Sequence, residues 1–194
     1  MKVTNVVTSP ITQRDTVMIA IKTILLPTDG SECSWKAVAY ALAIANQHGA
    51  RVVALHVIDQ AEVDRMRCGL VEGPASGELF AKVRKDHEDV VESLLREVVG
   101  AAQRASVPIE TTWVIGFPAK EIVRLATEVQ ADLIVVGTHG RRGMSHLLLG
   151  SVAERVVRTA PCPVLTVRRA EHEFVEGLGT VGPSLDSAPG TERR

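Results

Sequence analysis

Five short apolar segments alternate along the chain with segments of helical periodicity, and this alternation constrains the fold more than any other feature. The apolar segments show little polar alternation, which is typical of strands covered on both faces of a parallel sheet. Strands that alternate with amphipathic helices predict an α/β domain with right-handed crossovers. We expect the strands at residues 21–26, 51–58, 109–115, 133–136 and 163–167.

Helices are expected between these strands. The first follows the turn-forming segment 27–31 and ends at Gly49, and later ones span 78–105, begin at Pro118, and span 151–159. Residues 59–77 lose the periodicity and collect glycine and proline, which predicts a loop. The core-facing residues are expected to be Val38, Ala41, Leu42 and Ala45, then Leu79, Val83, Val90, Leu94, Val98 and Ala102, then Ile122, Leu125, Ala126 and Val129.

The regular pattern covers residues 21–169, which we expect to form one domain. A chain of 194 residues with 45% hydrophobic content is sufficient for one substantial core. Residues 1–20 and 170–194 are polar and irregular, and we expect them to be disordered extensions.

Charge and hydropathy narrow the range of partners and compartments. Lysine and arginine number 22 against 23 acidic residues, so the net charge of −1 disfavours nucleic acid and anionic membranes as partners. No run approaches the roughly 18 apolar residues that cross a bilayer, and Pro10 interrupts the start of the chain before a secretory core forms. Cys33, Cys68 and Cys162 are odd in number and far apart, which indicates reduced thiols. We therefore expect a cytoplasmic protein.

Two segments of turn-forming and polar residues follow the first and fourth predicted strands. They are Pro27-Thr28-Asp29 and Gly137-Thr138-His139-Gly140. In open parallel sheets, ligands bind beyond the carboxyl ends of the strands, where the chain changes its direction of growth across the sheet. Both segments are therefore expected to line one pocket.

The second segment continues as GTHGRRGMSHLLLGS and leads into the short helix at Ser151. Glycine lets the main chain approach an anion closely, and the first amides of a helix carry partial positive charge. Ser151 is expected to cap the helix and to donate its hydroxyl to a phosphate, while Arg141 and Arg142 offset further negative charge. The pattern favours a polyphosphate ligand. The alternative is a surface loop whose glycines only permit turning and whose arginines are solvated.

The spacing of Gly137, Gly140 and Gly150-Ser151 resembles the nucleotide-binding signature of the ATP-binding universal stress proteins, without gaps or substitutions. The resemblance extends over residues 21–168, through IKTILLPTDGS, VVALHVID, ADLIVVGTHG and LLLGSVAERVVRTAPCPVLTVR. It implies an open, Rossmann-like five-stranded parallel sheet with helices on both faces and strand order 3-2-1-4-5. It also implies a homodimer that pairs through residues 164–168, which would cover an exposed apolar edge strand. The alternative for that edge is protection by the tail of the same chain.

The resemblance also implies which residues contact ATP. Asp29 would lie near the ribose, with Pro27 and Thr28 beside it, and Val57 and Val136 would flank the adenine. The residues implied for ribose and phosphates are Gly137, Gly140, Gly150, Ser151 and Val152, with His139, Arg141 and Arg142 as further phosphate contacts. A magnesium ion brought by ATP could contact Asp29, although a single aspartate at a helix start is more often a cap.

The sequence offers no catalytic base and no lysine of the G-K-[ST] type over the phosphates. His139 and His146 have no neighbouring carboxylate or cysteine at metal-ligand spacing, and His56 is expected to be a hydrogen-bonded core residue. We therefore expect a nucleotide-dependent regulator or adaptor of the stress response that acts on an unidentified downstream protein. The alternatives are an enzyme of the same fold that slowly hydrolyses ATP or transfers nucleotidyl groups, and an adaptor that has lost nucleotide binding.

Overall fold

The computed structural model describes residues 19–69, 76–138 and 149–168, and in these ranges each of the five predicted strands is present. Residues 151–159 form a helix with the predicted bounds. The elements are β1 (Thr23–Pro27), α1 (Glu32–His48), β2 (Arg51–Asp59), α2 (Gln60–Gly69), α3 (Ser76–Arg104), β3 (Ile109–Gly116), α4 (Pro118–Glu128), β4 (Leu133–Gly137), α5 (Ser151–Thr159) and β5 (Val164–Val167).

The strands form one parallel sheet in the order β3-β2-β1-β4-β5, which confirms the expected topology. The chain builds outward from β1 through β2 to β3, and then returns to place β4 on the other side of β1. The direction of growth therefore reverses between β1 and β4, and a crevice is expected at the carboxyl ends of these two strands.

Helices cover both faces of the sheet, and each face has its own buried cluster. On one face α1 and α3 pack against the strands, with Leu42, Val52 and Val98 fully buried. On the other face α4 and α5 pack against residues such as Leu55 and Ile134, both at most 1% exposed. Full burial of each such side chain contributes roughly 1.5–3 kcal/mol, so the two clusters fix the strands rigidly beneath the crevice.

Local signals explain the bounds of α1. Ser31 is the N-cap, and its side chain accepts a hydrogen bond from the Ser34 N–H at 3.3 Å. Gly49 ends the helix with φ of 65°, a left-handed conformation that glycine adopts without steric cost. The predicted inward residues Val38, Ala41 and Leu42 are fully buried, as expected.

The prediction of a loop over residues 59–77 was wrong for most of that range, because residues 60–69 form α2 and α3 begins at Ser76. Helix α2 is polar, and its apolar side chains are too few to give a clear periodic signal. At its start the Ala61 N–H donates a hydrogen bond to Asp59 Oδ1 at 3.0 Å, and Val63 contacts the core. Residues 70–75 lie outside the described ranges.

The predicted inward face of α3 was partly wrong. Leu79 and Val90 are 50% and 56% exposed, whereas Val98 and Ala102 are buried as predicted. Val90 and Val91 are adjacent apolar residues, so the sequence pattern allowed two faces that differ by one position. The sheet selects the face whose buried members are Val91, Leu95, Val98 and Ala102.

Within the described ranges, no helix is both long enough and apolar enough to cross a membrane. The two predicted extensions lie almost entirely outside those ranges, so the predicted domain limits stay predictions.

Candidate functional site

The carboxyl ends of β1 and β4 define the candidate site. The two strands pair at Ile24 with Leu133 and at Leu25 with Ile134, both toward the amino ends of the strands. Beyond these pairs the strands continue to Pro27 and Gly137. The first loop and the glycine-rich segment therefore leave the sheet on neighbouring strands, which confirms that they follow the two strands of the reversal point.

The first loop is a turn that leads directly into α1. The Thr28 N–H donates to the Leu55 carbonyl at 2.9 Å, and Asp29 Oδ1 accepts from the Ser31 N–H at 3.0 Å. Between them Gly30 has φ of 77°, the left-handed conformation that such a tight turn requires. One carboxylate oxygen of Asp29 thus closes an Asx turn just before the helix. The N-cap itself is Ser31, so Asp29 is not the cap of α1.

The second loop leaves β4 and returns to the same place. The Thr138 N–H donates to the Val167 carbonyl, and the Gly150 N–H donates to the Thr138 carbonyl, each at 2.8 Å. Gly150 therefore lies next to Thr138, and α5 begins at the carboxyl end of β4. The predicted phosphate contacts His139, Gly140, Arg141 and Arg142 lie in this excursion, outside the described residues.

The N-cap of α5 is Gly150, with φ of −59° and ψ of 149°, so the prediction that Ser151 caps the helix was wrong. Ser151 is the first helical residue and is exposed, which leaves its hydroxyl on the outside of the first turn. Among the described residues, no side chain caps this end of the helix. The first amides of α5 therefore present partial positive charge at the edge of the crevice.

Gly137 has a packing role that the sequence did not reveal. A Cβ atom at this position would lie 2.9 Å from the Cys33 carbonyl carbon and 3.0 Å from its oxygen. The absent side chain lets β4 approach the first turn of α1 closely. Glycine is therefore required at Gly137 for helix-to-strand packing, whether or not it also contacts a phosphate.

The three valines of the predicted site lie on one side of the sheet, Val57 and Val136 on strands and Val152 on α5. Val57, Val136 and Val152 all belong to the cluster beneath α4 and α5. Val57 and Val152 are half-buried, whereas Val136 is only 6% exposed. The side chain of Val136 is thus part of the core, and Val57 and Val152 have apolar surface left to offer a ligand.

Pro27 and Thr28 are both buried, and Thr28 is only 5% exposed. The Thr28 hydroxyl donates to the Ser34 hydroxyl oxygen at 3.1 Å. Ser34 was not singled out from the sequence, because it lacks the glutamate or glutamine that marks a capping box at this position. His56, predicted to be a hydrogen-bonded core residue, lies with Nδ1 2.9 Å from the Thr28 carbonyl, which confirms that prediction.

Two titratable groups with shifted pKa values lie at the opposite end of β4. Hydrogen bonds from the Lys22 and Thr23 N–H groups to Asp132 Oδ2, at 2.8 and 3.0 Å, lower the pKa of the Asp132 carboxyl. Burial raises the pKa of the Cys162 thiol, with a smaller contribution from the charge of Asp132. Since Asp132 joins the amino ends of β1 and β4 and Cys162 is not activated, neither shift indicates a catalytic group at the crevice.

Taken together, the sheet order, the two loops and the start of α5 define a Rossmann-like α/β protein with a candidate anion-binding crevice at its topological reversal. The universal stress protein family model matches residues 20–168. The chain belongs to the universal stress protein family.

Several relatives share most of the chain. Universal stress protein MJ0531 of Methanocaldococcus jannaschii is 40% identical over 154 residues, which cover 78% of this chain and 85% of that protein. Universal stress protein MJ0577 of the same organism is 30% identical over 161 residues, covering 78% and 97%. The solved structure of MJ0577 aligns with a TM-score of 0.67 over 79% of this chain and 100% of that one, at 27% identity. A universal stress protein solved in complex with cAMP aligns with a TM-score of 0.55 at 28% identity, over 78% of this chain and 100% of that one.

Proposed function

We propose that this protein binds ATP in the crevice between β1 and β4 and acts, according to the nucleotide it holds, as a regulator or adaptor in the cytoplasmic stress response. The observation that carries the proposal is the hydrogen bond between Gly150 and Thr138, which places the start of α5 at the end of β4. A helix that begins with a glycine N-cap offers main-chain N–H groups and partial positive charge to a phosphate. The site therefore has the chemistry of a polyphosphate cradle that needs no lysine.

The residues divide by the part of ATP that each would contact. Asp29, fixed in the first turn, would approach the ribose, with Pro27 and Thr28 as the floor beneath it. Val57 would offer apolar surface to the adenine, while Val136 would contribute mainly through its main chain because its side chain is buried. The phosphate contacts are proposed to be Gly137, His139, Gly140, Arg141, Arg142, Gly150, Ser151 and Val152.

The complex of a related universal stress protein with cAMP supports an adenine nucleotide as the ligand class. That relative shares the fold over its whole length, at 28% identity. ATP is proposed because the spacing of Gly137, Gly140 and Gly150-Ser151 resembles the signature of the ATP-binding members of the family. We propose residues 21–169 as the nucleotide-binding domain.

Replacement of Gly150 by valine tests the cradle. The φ and ψ values of Gly150 are open to any residue, so the substitution adds a side chain at the phosphate site without straining the main chain. The matched control is Gly77→Val, because a Cβ at Gly77 meets no atom within 4 Å. In equilibrium dialysis with ATP, Gly150→Val should weaken binding by about tenfold or more, because the added side chain would displace the phosphate from a main-chain N–H of α5, whereas Gly77→Val should bind as wild type. Equal binding by all three proteins would refute the cradle.

The same samples separate a binding protein from an enzyme. Phosphate and AMP release can be followed after ATP is added, with and without magnesium. A regulator that holds ATP should release neither at an enzymatic rate, whereas turnover on the order of 1 per second or faster would favour the hydrolytic or nucleotidyl-transfer function instead.

We also propose that β5 pairs with β5 of a second copy to form a homodimer. Strand β5 is at the edge of the sheet, and Val164, Leu165 and Thr166 are half-buried. The carbonyls of Pro163 and Val167 accept hydrogen bonds from Ile134 and Thr138 of the β4 side. Since a parallel ladder uses alternate residues, the main-chain groups of Val164 and Thr166 point away from β4 and are placed to pair with another strand.

A further inference from the structure

Buried polar side chains concentrate beneath the candidate site. In the part of the chain that the structure describes, five polar side chains are buried, and Thr23 alone of these lies at the amino end of the sheet. The other four are Thr28, Ser34, His56 and Thr138, at the carboxyl end or in the first turn of α1. Because a buried polar group is costly unless it is hydrogen-bonded, this concentration indicates a hydrogen-bond network under the crevice.

The network ties the first loop to the start of α1. The Thr28 hydroxyl donates to Ser34 Oγ at 3.1 Å, and the Ser34 hydroxyl donates to the Ser31 carbonyl at 2.9 Å. Each hydroxyl thus has a defined direction, and the loop is held at both of its ends.

His56 joins this network from the neighbouring strand. Its Nδ1 lies 2.9 Å from the Thr28 carbonyl oxygen, and the side chain is 5% exposed. A carbonyl oxygen can only accept, so Nδ1 must carry the hydrogen and the tautomer is defined by the contact.

The bond occurs where main-chain pairing of β1 with β2 ends. The last paired residues are Pro27 and Leu55, and one further bond joins the Thr28 N–H to the Leu55 carbonyl. At the next position the imidazole of His56 donates to the Thr28 carbonyl. The ring therefore satisfies this carbonyl as the chain turns out of the sheet, and it holds the turn against β2.

We propose that His56 is a positioning residue of the nucleotide site, which fixes the loop that carries Asp29 relative to the strand that carries Val57. This inference rests on the proposed function. Thr28 directly precedes Asp29 and His56 directly precedes Val57. The His56 bond therefore acts together with the bond from the Thr28 N–H to the Leu55 carbonyl to set the separation between the proposed ribose contact and the proposed adenine contact.

The first test needs no ligand. In ¹⁵N NMR of the wild-type protein, the ring of His56 should be protonated at Nδ1. A neutral ring protonated only at Nε2 would overturn the proposal, and this measurement does not depend on any variant folding.

The second test compares His56→Leu, which removes the donor, with His56→Asn, whose side-chain amide places a donor near the position of Nδ1. Amide hydrogen exchange at Gly30 and Ser31 should be about tenfold faster in His56→Leu and within about threefold of wild type in His56→Asn. Val53→Ala is the control, because Val53 is buried on β2 and its side chain is on the opposite face of the sheet from that of His56. Val53→Ala should lower the melting temperature without a selective change in amide exchange at Gly30 and Ser31. If these two amides exchange at the wild-type rate in His56→Leu, the proposal is overturned.

The third test uses ATP as the ligand in calorimetry. His56→Leu should bind about tenfold more weakly than wild type, and His56→Asn and Val53→Ala within about threefold of it. Wild-type affinity in His56→Leu would refute the positioning role while leaving the proposed function intact. Failure of the wild-type protein to bind any adenine nucleotide would refute the proposed function, and the exchange experiment would still decide whether His56 holds the loop.

Discussion

Replacement of Gly137 by alanine is expected to destabilise the fold through the contact between β4 and α1. The added Cβ would lie 2.9–3.0 Å from the main chain and Cβ of Cys33, whereas non-bonded carbon atoms prefer about 3.5–4.0 Å. The main chain at Cys33 cannot retreat easily, because the first turn of α1 is held by the Ser31 cap and by the Trp35 N–H bond to the Ser31 carbonyl at 2.9 Å. Overpacking of this kind costs about 1–3 kcal/mol of the free energy of unfolding.

Urea unfolding monitored by tryptophan fluorescence measures this loss, because Trp35 is only 8% exposed and Trp113 is partly buried against the same core cluster. With a denaturant slope of about 2 kcal/mol/M, a loss of about 2 kcal/mol lowers the midpoint by roughly 1 M. The matched control is Gly100→Ala in α3, where the added Cβ would be at an ordinary 3.6 Å from Arg104 Nη1. That variant should be equal to or more stable than wild type, because alanine favours a helix by about 1 kcal/mol over glycine. If Gly137→Ala unfolds at the wild-type midpoint, the packing role assigned to Gly137 is wrong.

Three further predictions concern other parts of the molecule. The pKa of the Asp132 carboxyl is lowered in the folded protein, so this carboxylate stabilises the fold above its unfolded pKa, and the stabilisation is lost as pH falls through the folded pKa. Asp132→Asn should therefore lower the free energy of unfolding by about 1 kcal/mol at neutral pH, after allowance for solvent exposure. In urea titrations, the difference in stability from wild type should shrink below about pH 4. Thr166→Pro removes an outward N–H of β5 without breaking the ladder to β4, so light scattering should show a monomer with an unchanged circular dichroism spectrum, and an intact dimer would exclude pairing through β5. Since burial raises the pKa of Cys162 and Cys68 is exposed, a thiol reagent at neutral pH should modify Cys68 well before Cys162, as mapped by mass spectrometry, and the reverse order would contradict this assignment.

The strands and most helices could be predicted because their signals are local. Ser31 marks a helix start through its side-chain oxygen, and Gly49 and Pro118 mark helix ends through their main-chain preferences. The five strands are recognised by apolar runs that need little tertiary information. Helix α2 was missed because it is polar and is held by few core contacts. The face of α3 was misjudged because two adjacent valines fit the period equally well, and only the sheet distinguishes them.

The position of the candidate site followed from the sequence, but its contacts did not. Strand order alone brings Asp29 and Gly137 to neighbouring strands, so the pattern of loops was sufficient to locate the crevice. The contact of Gly137 with Cys33 and the bond from His56 to Thr28 join residues that are far apart in the chain. Such contacts depend on how helices and strands pack, and no local preference encodes them.

The amide resonances of the first turn of α5 provide the most direct test of the nucleotide cradle. In an NMR titration of the folded protein with ATP, the N–H signals of Ser151 and Val152 should shift saturably, and adenosine without phosphates should shift them much less. If these two signals do not shift even when ATP saturates whatever binding the other signals report, α5 does not hold the phosphates and the proposed site is wrong.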